Sequence, residues 1–190
     1  MTTPRILAFS GSARRDSFNQ RVVAYAARVA EKAGAEVTVL NLRDLPLPIM
    51  DQDLERDEGQ PENAARLKAL MAEHDGFIIG SPEYNSSLTP LLKNALDWAS
   101  RKTSSESSLI AYDGKIAALM SASPGKLGGV RGLVHLRQVL TNLGVLVIPG
   151  QASIGGAMRA LDDSGNLVNE QDISRVESVV KSLLDTVRKL

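Results

Sequence analysis

Short apolar runs recur along the chain, and each is followed by a longer segment whose apolar positions have helical spacing. In the runs the apolar residues are largely consecutive rather than alternating with polar ones, as at residues 77–79. Such runs are typical of strands that are covered on both faces, as in a parallel sheet. We therefore predict five strands, over residues 5–9, 37–40, 77–79, 116–120 and 145–148.

Helices are predicted between and after these strands. The apolar stripes place them near residues 22–34, 64–74, 90–99, 130–143 and 173–187. Strand and helix alternate five times without an internal repeat or an evident linker. This order predicts a single α/β domain over residues 1–190, a doubly wound parallel sheet with right-handed crossovers and helices on both faces.

The connections contain prolines, charges and turn residues. Pro46 and Pro48 exclude a helix interior, so residues 45–50 should be extended. Residues 51–61 are charged and residues 101–114 are polar and rich in serine, so we expect surface loops there. Residues 162–165 are turn formers and suggest a hairpin tip.

The middle of the chain changes abruptly from apolar to polar. After the strand at residues 77–79 come Glu83, Tyr84 and Asn85, and then Thr89 and Pro90, which suit the start of a helix. An acid, an aromatic ring and an amide should therefore lie at the carboxyl end of a buried strand. In open α/β sheets this edge is where ligands bind.

Charge and composition exclude several classes of protein. The 22 Lys and Arg residues balance the 22 Asp and Glu residues, which argues against a nucleic-acid or membrane-surface protein and against an acidic electron carrier. There is no cysteine, and hence no disulfide or thiol chemistry. The first residues lack the apolar core of a signal peptide, and no apolar run approaches a membrane span. We expect a soluble cytoplasmic protein.

Three polar loops follow the first, third and fourth predicted strands, at one edge of the sheet. The first contains Ser12, Arg14, Ser17 and Asn19 at a helix start, where hydroxyls, amides and the helix dipole favour a phosphate. A capped helix with a solvated Arg14 is the other interpretation of this loop. The spacing matches neither the Rossmann fingerprint nor the Walker loop.

The other two loops permit a ligand without requiring one. Residues 82–85 could line a flat ring or form a surface turn, and the glycines of residues 121–129 allow a backbone to approach a ligand closely. His74 and His135 are predicted to be structural or solvated, Trp98 is predicted to be a packing residue, and no spacing suggests a metal site. A site without an evident nucleophile or base suits chemistry supplied by a cofactor.

Two segments resemble the signatures of the NADPH-dependent FMN reductase family. Residues 11–19, Gly-Ser-Ala-Arg-Arg-Asp-Ser-Phe-Asn, are similar to the family's G-S-x-R-x-x-S-x-N phosphate loop. Residues 81–85, Ser-Pro-Glu-Tyr-Asn, together with residues 92–98, are similar to its second signature. Both occur in order, each after a predicted strand.

The resemblance implies a flavodoxin-like fold with strand order 2-1-3-4-5 and FMN bound across the three loops. Proteins of this family are typically homodimers or dimers of dimers (homotetramers), so the resemblance also implies a partner subunit that closes the flavin pocket. Val134 stands where tetrameric relatives have a tyrosine that joins an inter-subunit network with an arginine matching Arg131, which weakens the tetramer expectation. Carried over by position, Ser12, Arg14, Ser17 and Asn19 would hold the phosphate, Pro82, Glu83, Tyr84 and Asn85 would line the ring, and Ser123 would approach it from the third loop.

The function expected from these residues and this resemblance is FMN-dependent NAD(P)H oxidoreduction. FMN would receive a hydride from NADPH or NADH and pass two electrons to quinones, flavins, azo compounds or chromate-like acceptors by a ping-pong mechanism. The alternatives are a flavodoxin-type one-electron carrier and a regulatory flavoprotein.

Overall fold

A computed structural model describes residues 2–103, 106 and 109–190. Five parallel strands form one sheet in the order β2-β1-β3-β4-β5. This confirms the flavodoxin-like doubly wound α/β fold and the strand order expected from the resemblance. The strands are β1 (Arg5–Ser10), β2 (Glu36–Asn41), β3 (Gly76–Gly80), β4 (Ile116–Ala122) and β5 (Leu146–Ile154).

Helices cover both faces of the sheet. Those of the described residues are α1 (Phe18–Lys32), α2 (Gln52–Glu58), α3 (Glu62–Glu73), α4 (Pro90–Ala99), α5 (Val130–Asn142), α6 (Ala157–Ala160) and α7 (Glu170–Val187). A short 3₁₀ turn, Leu42–Asp44, follows β2. Helices α1 and α7 pack together on one face, whereas α3, α4 and α5 lie on the other.

The core is divided by the sheet into two layers. Successive residues of a strand point to opposite faces. In β3, Ile78 points toward α1 and α7, whereas Phe77 and Ile79 point toward the other helices. Every residue of β3 is buried, because both of its faces are covered. The consecutive apolar residues that predicted this strand therefore reflect burial on both sides.

Two predicted boundaries were wrong. Residues 51–61 are not all loop, because α2 begins after Asp51, whose side chain accepts a hydrogen bond from Asp53 N at 2.8 Å. Helix α2 buries no residue, so it has no apolar stripe that could have revealed it. Strand β5 does not end at Ile148 but continues past Pro149 with an irregular register. A proline is tolerated there because β5 is an edge strand.

The serine-rich segment after α4 is less superficial than predicted. Tyr112 is fully buried, and its hydroxyl donates to the Leu96 carbonyl at 2.6 Å. Lys68 of α3 reaches this segment, with its Nζ 2.8 Å from a carboxylate oxygen of Glu106. The prediction of a surface loop also covered residues 104, 105, 107 and 108, which lie outside the described residues.

The remaining connections agree with the sequence. A proline-containing extended segment joins the 3₁₀ turn to α2, and the Trp98 indole donates to its Pro48 carbonyl at 2.8 Å. Leu161 and Leu167 pair in an antiparallel bridge around the predicted hairpin tip. Within the described residues, no helix combines the length and the apolar character needed to cross a membrane.

Candidate functional site

A cleft of about 330 Å³ opens at the carboxyl edge of the sheet, where the loops after β1, β3 and β4 converge. Strands β1 and β3 are neighbours there although β2 lies between them in sequence, so this is the topological switch point of the sheet. The volume lies within the range of about 300–1,000 Å³ that is typical of small-ligand sites. The cleft is lined by Ser12, Arg14, Ser17, Phe18, Asn19, Pro82, Glu83, Tyr84, Ala122, Ser123 and Pro124.

The loop after β1 presents hydrogen-bond donors at the start of α1. Ser17 caps this helix, its Oγ accepting from Gln20 N at 3.3 Å, and its carbonyl accepts from Arg21 N. In the described part of the chain, no acceptor serves the first two amides of α1, those of Phe18 and Asn19. The Arg14 guanidinium lies 5.3 Å from the centre of the Phe18 ring. Hydroxyls, free amides and a guanidinium together make this end of the cleft suitable for an anion.

This first loop is held in place from two sides. The Thr89 hydroxyl donates to the Gly11 carbonyl at 2.6 Å, while it also caps α4 by accepting from Leu92 N. The Gln20 side chain donates to the Ser12 carbonyl, also at 2.6 Å. A Cβ on Gly11 would lie 2.7 Å from Leu92 Cβ, so the approach of the loop to α4 requires a glycine. The donors are therefore arranged before any ligand arrives.

Asn19 connects the first loop to the end of β4. Its Nδ2 donates to the Ala122 carbonyl and its Oδ1 accepts from the Ala122 amide. Both polar groups of the side chain thus have protein partners, and only 4% of the residue is exposed. Its predicted contact with a phosphate stays a prediction, and the contact that the structure shows is one that positions two loops.

The loop after β3 forms a tight hairpin turn beside the cleft. Tyr84 and Ser87 exchange two backbone hydrogen bonds, at 2.9 and 3.0 Å, across Asn85 and Ser86. Pro82 and Tyr84 line the cleft, and 57% of Tyr84 is exposed. Asn85 is exposed and is not among the lining residues, so its predicted ring contact is not evident in this geometry.

The Glu83 carboxylate is turned toward the start of α5. It accepts hydrogen bonds from the backbone amides of Arg131 and Gly132 and from the Arg131 guanidinium. Burial alone would raise the pKa of Glu83, but the guanidinium and the two amides outweigh it and hold the pKa below its usual value. Glu83 is therefore an ionised, fully paired group in the wall of the cleft.

The loop after β4 closes the third side. Ser123 bonds to the end of β5 by donating its amide to the Ile154 carbonyl at 3.1 Å. Gly128 has a φ of +62°, and a Cβ there would lie 2.7 Å from the Ile154 carbonyl carbon. The glycine-rich sequence is thus needed to fold this loop against β5, and the fold leaves Ser123 and Pro124 at the cleft.

The structure brings eight of the nine predicted site residues to one cleft, namely Ser12, Arg14, Ser17, Asn19, Pro82, Glu83, Tyr84 and Ser123. Sequence reasoning did not assign a role to Phe18, Ala122 and Pro124, which also line it, although each is adjacent to a predicted residue. The predictions for residues away from the cleft agree with the structure. His74 is buried with both ring nitrogens in hydrogen bonds, His135 contacts Ser87, and Trp98 is fully buried.

Comparison with known proteins places the chain in a family. Residues 4–159 match the family model described as NADPH-dependent FMN reductase, which spans most of the chain. The chain belongs to this family, and the expected resemblance is confirmed, as is the expectation of an oxidoreductase enzyme. Membership implies the use of a flavin and of NAD(P)H.

Named relatives cover nearly all of the chain. Probable NADPH:quinone oxidoreductase 1 of Oryza sativa subsp. japonica is 36% identical over 183 residues, covering 94% of this chain and 89% of its own. The quinone reductase of Escherichia coli (strain K12) is 29% identical over 189 residues, covering 98% and 96%. These names indicate small-molecule acceptors for the relatives.

A solved structure is similar over the same length. FerB, a flavoenzyme NAD(P)H:(acceptor) oxidoreductase of Paracoccus denitrificans, matches with a TM-score of 0.84 and 27% identity, and 98% of each chain is covered. The flavodoxin-like arrangement of strands and helices is therefore shared by a chain of nearly the same extent.

Proposed function

We propose that this member of the NADPH-dependent FMN reductase family binds FMN in the cleft and catalyses the reduction of a small acceptor by NADPH or NADH. The expected acceptors are quinones, free flavins, azo compounds and chromate-like ions. One observation carries the proposal, the donor set at one end of the cleft. Ser12, Arg14 and Ser17 lie there together with the first amides of α1, which have no acceptor among the described residues.

The donor set fits the phosphate of FMN. A phosphate carries two negative charges near neutral pH and accepts several hydrogen bonds, and the start of a helix favours such a group. Arg14 supplies a positive charge, and Ser12 and Ser17 supply hydroxyls. In this arrangement Asn19 supports the phosphate loop through its bonds to Ala122.

The rest of the cleft fits a flat, partly apolar ring. Pro82, Tyr84, Ser123 and Pro124 supply small or flat surfaces and backbone groups on two sides. The carboxylate in the wall, that of Glu83, is neutralised by Arg131, so the described residues that line the cleft bring no unpaired negative charge to the ring position. The chemistry of the lining therefore agrees with an isoalloxazine ring bound between the second and third loops.

The roles of the side chains are those of binding and orientation. When bound, FMN would supply the redox chemistry, by which NADPH and one proton from solvent convert a quinone to a hydroquinone and release NADP⁺. Among the described residues that line the cleft, Glu83 carries the carboxylate, and its pairing removes it as a proton donor. The open side of the cleft would admit the nicotinamide and the acceptor in turn, so we expect a ping-pong order.

A one-electron carrier and a regulatory flavoprotein are the rival functions. The balance of 22 basic and 22 acidic residues argues against a carrier, because carriers dock through strongly acidic surfaces. The names of the relatives, such as the quinone reductase of Escherichia coli, also favour an enzyme.

Steady-state kinetics test the proposal directly. The purified protein, loaded with FMN, is mixed with NADPH or NADH and an excess of menadione, without any partner protein. Parallel double-reciprocal plots at several menadione concentrations are expected. An FMN-loaded protein that oxidises neither nicotinamide would contradict the proposal and favour a carrier or regulator.

A further inference from the structure

Helix α5 begins without a cap of its own. Its N-cap position is Gly129, which has a φ of +86° and no side chain to accept a hydrogen bond. The first amides of an α-helix have no partner within the helix, and a buried amide without an acceptor is unfavourable. The amides of Arg131 and Gly132 find their acceptor elsewhere, in Glu83 Oε2, at 2.9 and 3.1 Å.

The Glu83 carboxylate has donors on both oxygens. Oε2 accepts the two amides of α5, and Oε1 accepts from Arg131 Nε at 2.8 Å and from Arg131 Nη2. The Glu83 side chain is 9% exposed, whereas that of Arg131 is 58% exposed. A carboxylate at the start of a helix is also favoured by the helix dipole. Glu83 therefore performs the capping that the sequence of α5 does not provide.

The loop that carries Glu83 has an unfavourable backbone conformation. Asn85 and Ser86 both have positive φ, 50° and 67°, at the two central positions of the turn. A turn of this type suits Asn followed by Gly, and serine at the second position is strained. Such strain persists only where the surrounding structure enforces it.

The surroundings that enforce the turn are again those of α5. At the last position of the turn, Ser87 Oγ lies 3.0 Å from His135 Nδ1. A Cβ on Gly132 would lie 3.1 Å from the Ser87 carbonyl oxygen, so the loop and the helix are packed closely. Glu83, which precedes the turn, and Ser87, which ends it, are thus both attached to the same helix.

From these contacts we propose that Glu83 is a positioning residue of the flavin site, which caps α5 from the neighbouring loop and holds the turn at residues 84–87 in its strained conformation. In this role Glu83 presents Pro82 and Tyr84 to the cleft, while its own carboxylate faces away from the ligand toward α5. The inference rests on the proposed function for the identity of the ligand, but the capping contact itself involves only this chain.

The first experiment compares Glu83→Ala and Glu83→Gln in the protein without flavin. Hydrogen exchange of the Arg131 and Gly132 amides should be at least tenfold faster in Glu83→Ala than in the unchanged protein. Glu83→Gln should lie between them, because its carbonyl oxygen can take the place of Oε2, but its NH2 group would then face the Arg131 guanidinium, to which it cannot serve as an acceptor. Exchange within twofold of the unchanged protein in both variants would overturn the proposal.

The second experiment titrates FMN and riboflavin into the same proteins. Because the turn lies beside the ring position, Glu83→Ala should weaken both ligands equally, by about tenfold. Glu55→Ala is the matched control. It removes an ion pair in which Glu55 Oε2 lies 2.7 Å from Arg101 Nη2, and neither residue lines the cleft. A loss confined to FMN, or an equal loss in the control, would contradict the positioning role.

Rescue separates positioning from general stability. Ser86→Gly creates the Asn-Gly pair that this turn favours and removes the strain at residue 86. The double variant should bind flavin at least threefold more tightly than Glu83→Ala. Ser86→Gly by itself should change the flavin affinity less than twofold. No rescue would overturn the link between Glu83 and the turn. Failure of the unchanged protein to bind flavin would instead refute the proposed function, and the exchange experiment would still decide the capping role.

Discussion

The Asn19 side chain binds both backbone groups of Ala122, a residue 103 positions away in sequence. Its Nδ2 donates to the Ala122 carbonyl at 2.8 Å, and its Oδ1 accepts from the Ala122 amide at 2.9 Å. Asn19, in the first turn of α1, thus makes the two hydrogen bonds with the end of β4 that a neighbouring strand would otherwise make. The contact fixes the distance between the first and third loops of the cleft.

Removal of this contact should destabilise the protein. In Asn19→Ala the amide and the carbonyl of Ala122 lose their partners, at a cost of about 2 kcal/mol in the free energy of unfolding. Asn19→Asp should cost at least as much, because a carboxylate cannot donate to the Ala122 carbonyl. Urea denaturation measures both. Asn63→Ala, which removes an exposed bond to the Pro46 carbonyl, should cost less than about 0.5 kcal/mol. Equal effects at the two sites would refute the structural role of Asn19.

Arg14 should select FMN over riboflavin. A charge-assisted bond is worth about 1.5–3 kcal/mol, so Arg14→Ala should weaken FMN by about tenfold or more and leave riboflavin nearly unchanged. Arg15→Ala is the control, because Arg15 is exposed in the same loop and is not a lining residue of the cleft. Fluorescence titration of the apo-proteins measures the affinity of the unchanged protein, Arg14→Ala and Arg15→Ala for each ligand. A loss that is the same for both ligands would remove Arg14 from phosphate binding.

Glycine should be required at residue 128 for a steric reason as well as for its backbone conformation. Gly128 and Gly114 both have positive φ, but only Gly128 has neighbours where a Cβ would lie. Gly114→Ala should therefore cost about 1 kcal/mol, and Gly128→Ala about 2 kcal/mol more. Thermal unfolding of the two variants tests this difference, and equal costs would contradict it.

The Glu55–Arg101 pair should stabilise the protein only above acidic pH. Hydrogen bonds from the Arg101 side chain hold the pKa of Glu55 below its usual value. A folded-state pKa below that of the unfolded chain adds stability at neutral pH, and the gain is lost as the pH falls through the folded pKa. Glu55→Gln should thus cost about 1 kcal/mol at pH 7, and this cost should disappear in acid, once the pH has fallen through the folded pKa. Glu58→Gln, an exposed position on the same helix, should have little effect at either pH. A cost for Glu55→Gln that does not change with pH would refute the ionic origin.

The protein should form at least a dimer, through the side of the sheet that carries α4 and α5. Val134 of α5 is 59% exposed, and Ile49, next to a segment bonded to α4, is 85% exposed. Val134→Glu with Ile49→Glu should weaken association measured by light scattering. Val168→Glu, at a similarly exposed position near α1 and α7, should not. An active FMN-loaded monomer at micromolar concentration would contradict this prediction.

The fold could be predicted from the sequence because its signals are local. Residues buried on both faces of a strand are apolar without alternation, as at residues 77–79, and the amphipathic stripes mark the longer helices. Where the local signal was absent or misleading, the prediction failed. Helix α2 buries nothing, and Pro149 resembles the end of a strand although β5 continues past it. The Arg137 guanidinium of α5 donates hydrogen bonds to the carbonyls of Val147, Ile148 and Pro149. No local pattern in the sequence reveals this contact.

By itself the sequence determined the alternation of the five strands with the longer helices and the residues of the three loops, because burial periodicity and loop composition can be read along the chain. Parallel strands place those loops at one edge, which is enough to predict a common cleft. Only the tertiary structure decided the role of each side chain there. Asn19 and Glu83 resemble ligand contacts in sequence, yet their partners, Ala122 and the start of α5, are far away in the chain. Whether a hydrogen bond forms depends on differences of a few tenths of an ångström in the distance between donor and acceptor. The packing of the helices on the sheet sets these distances.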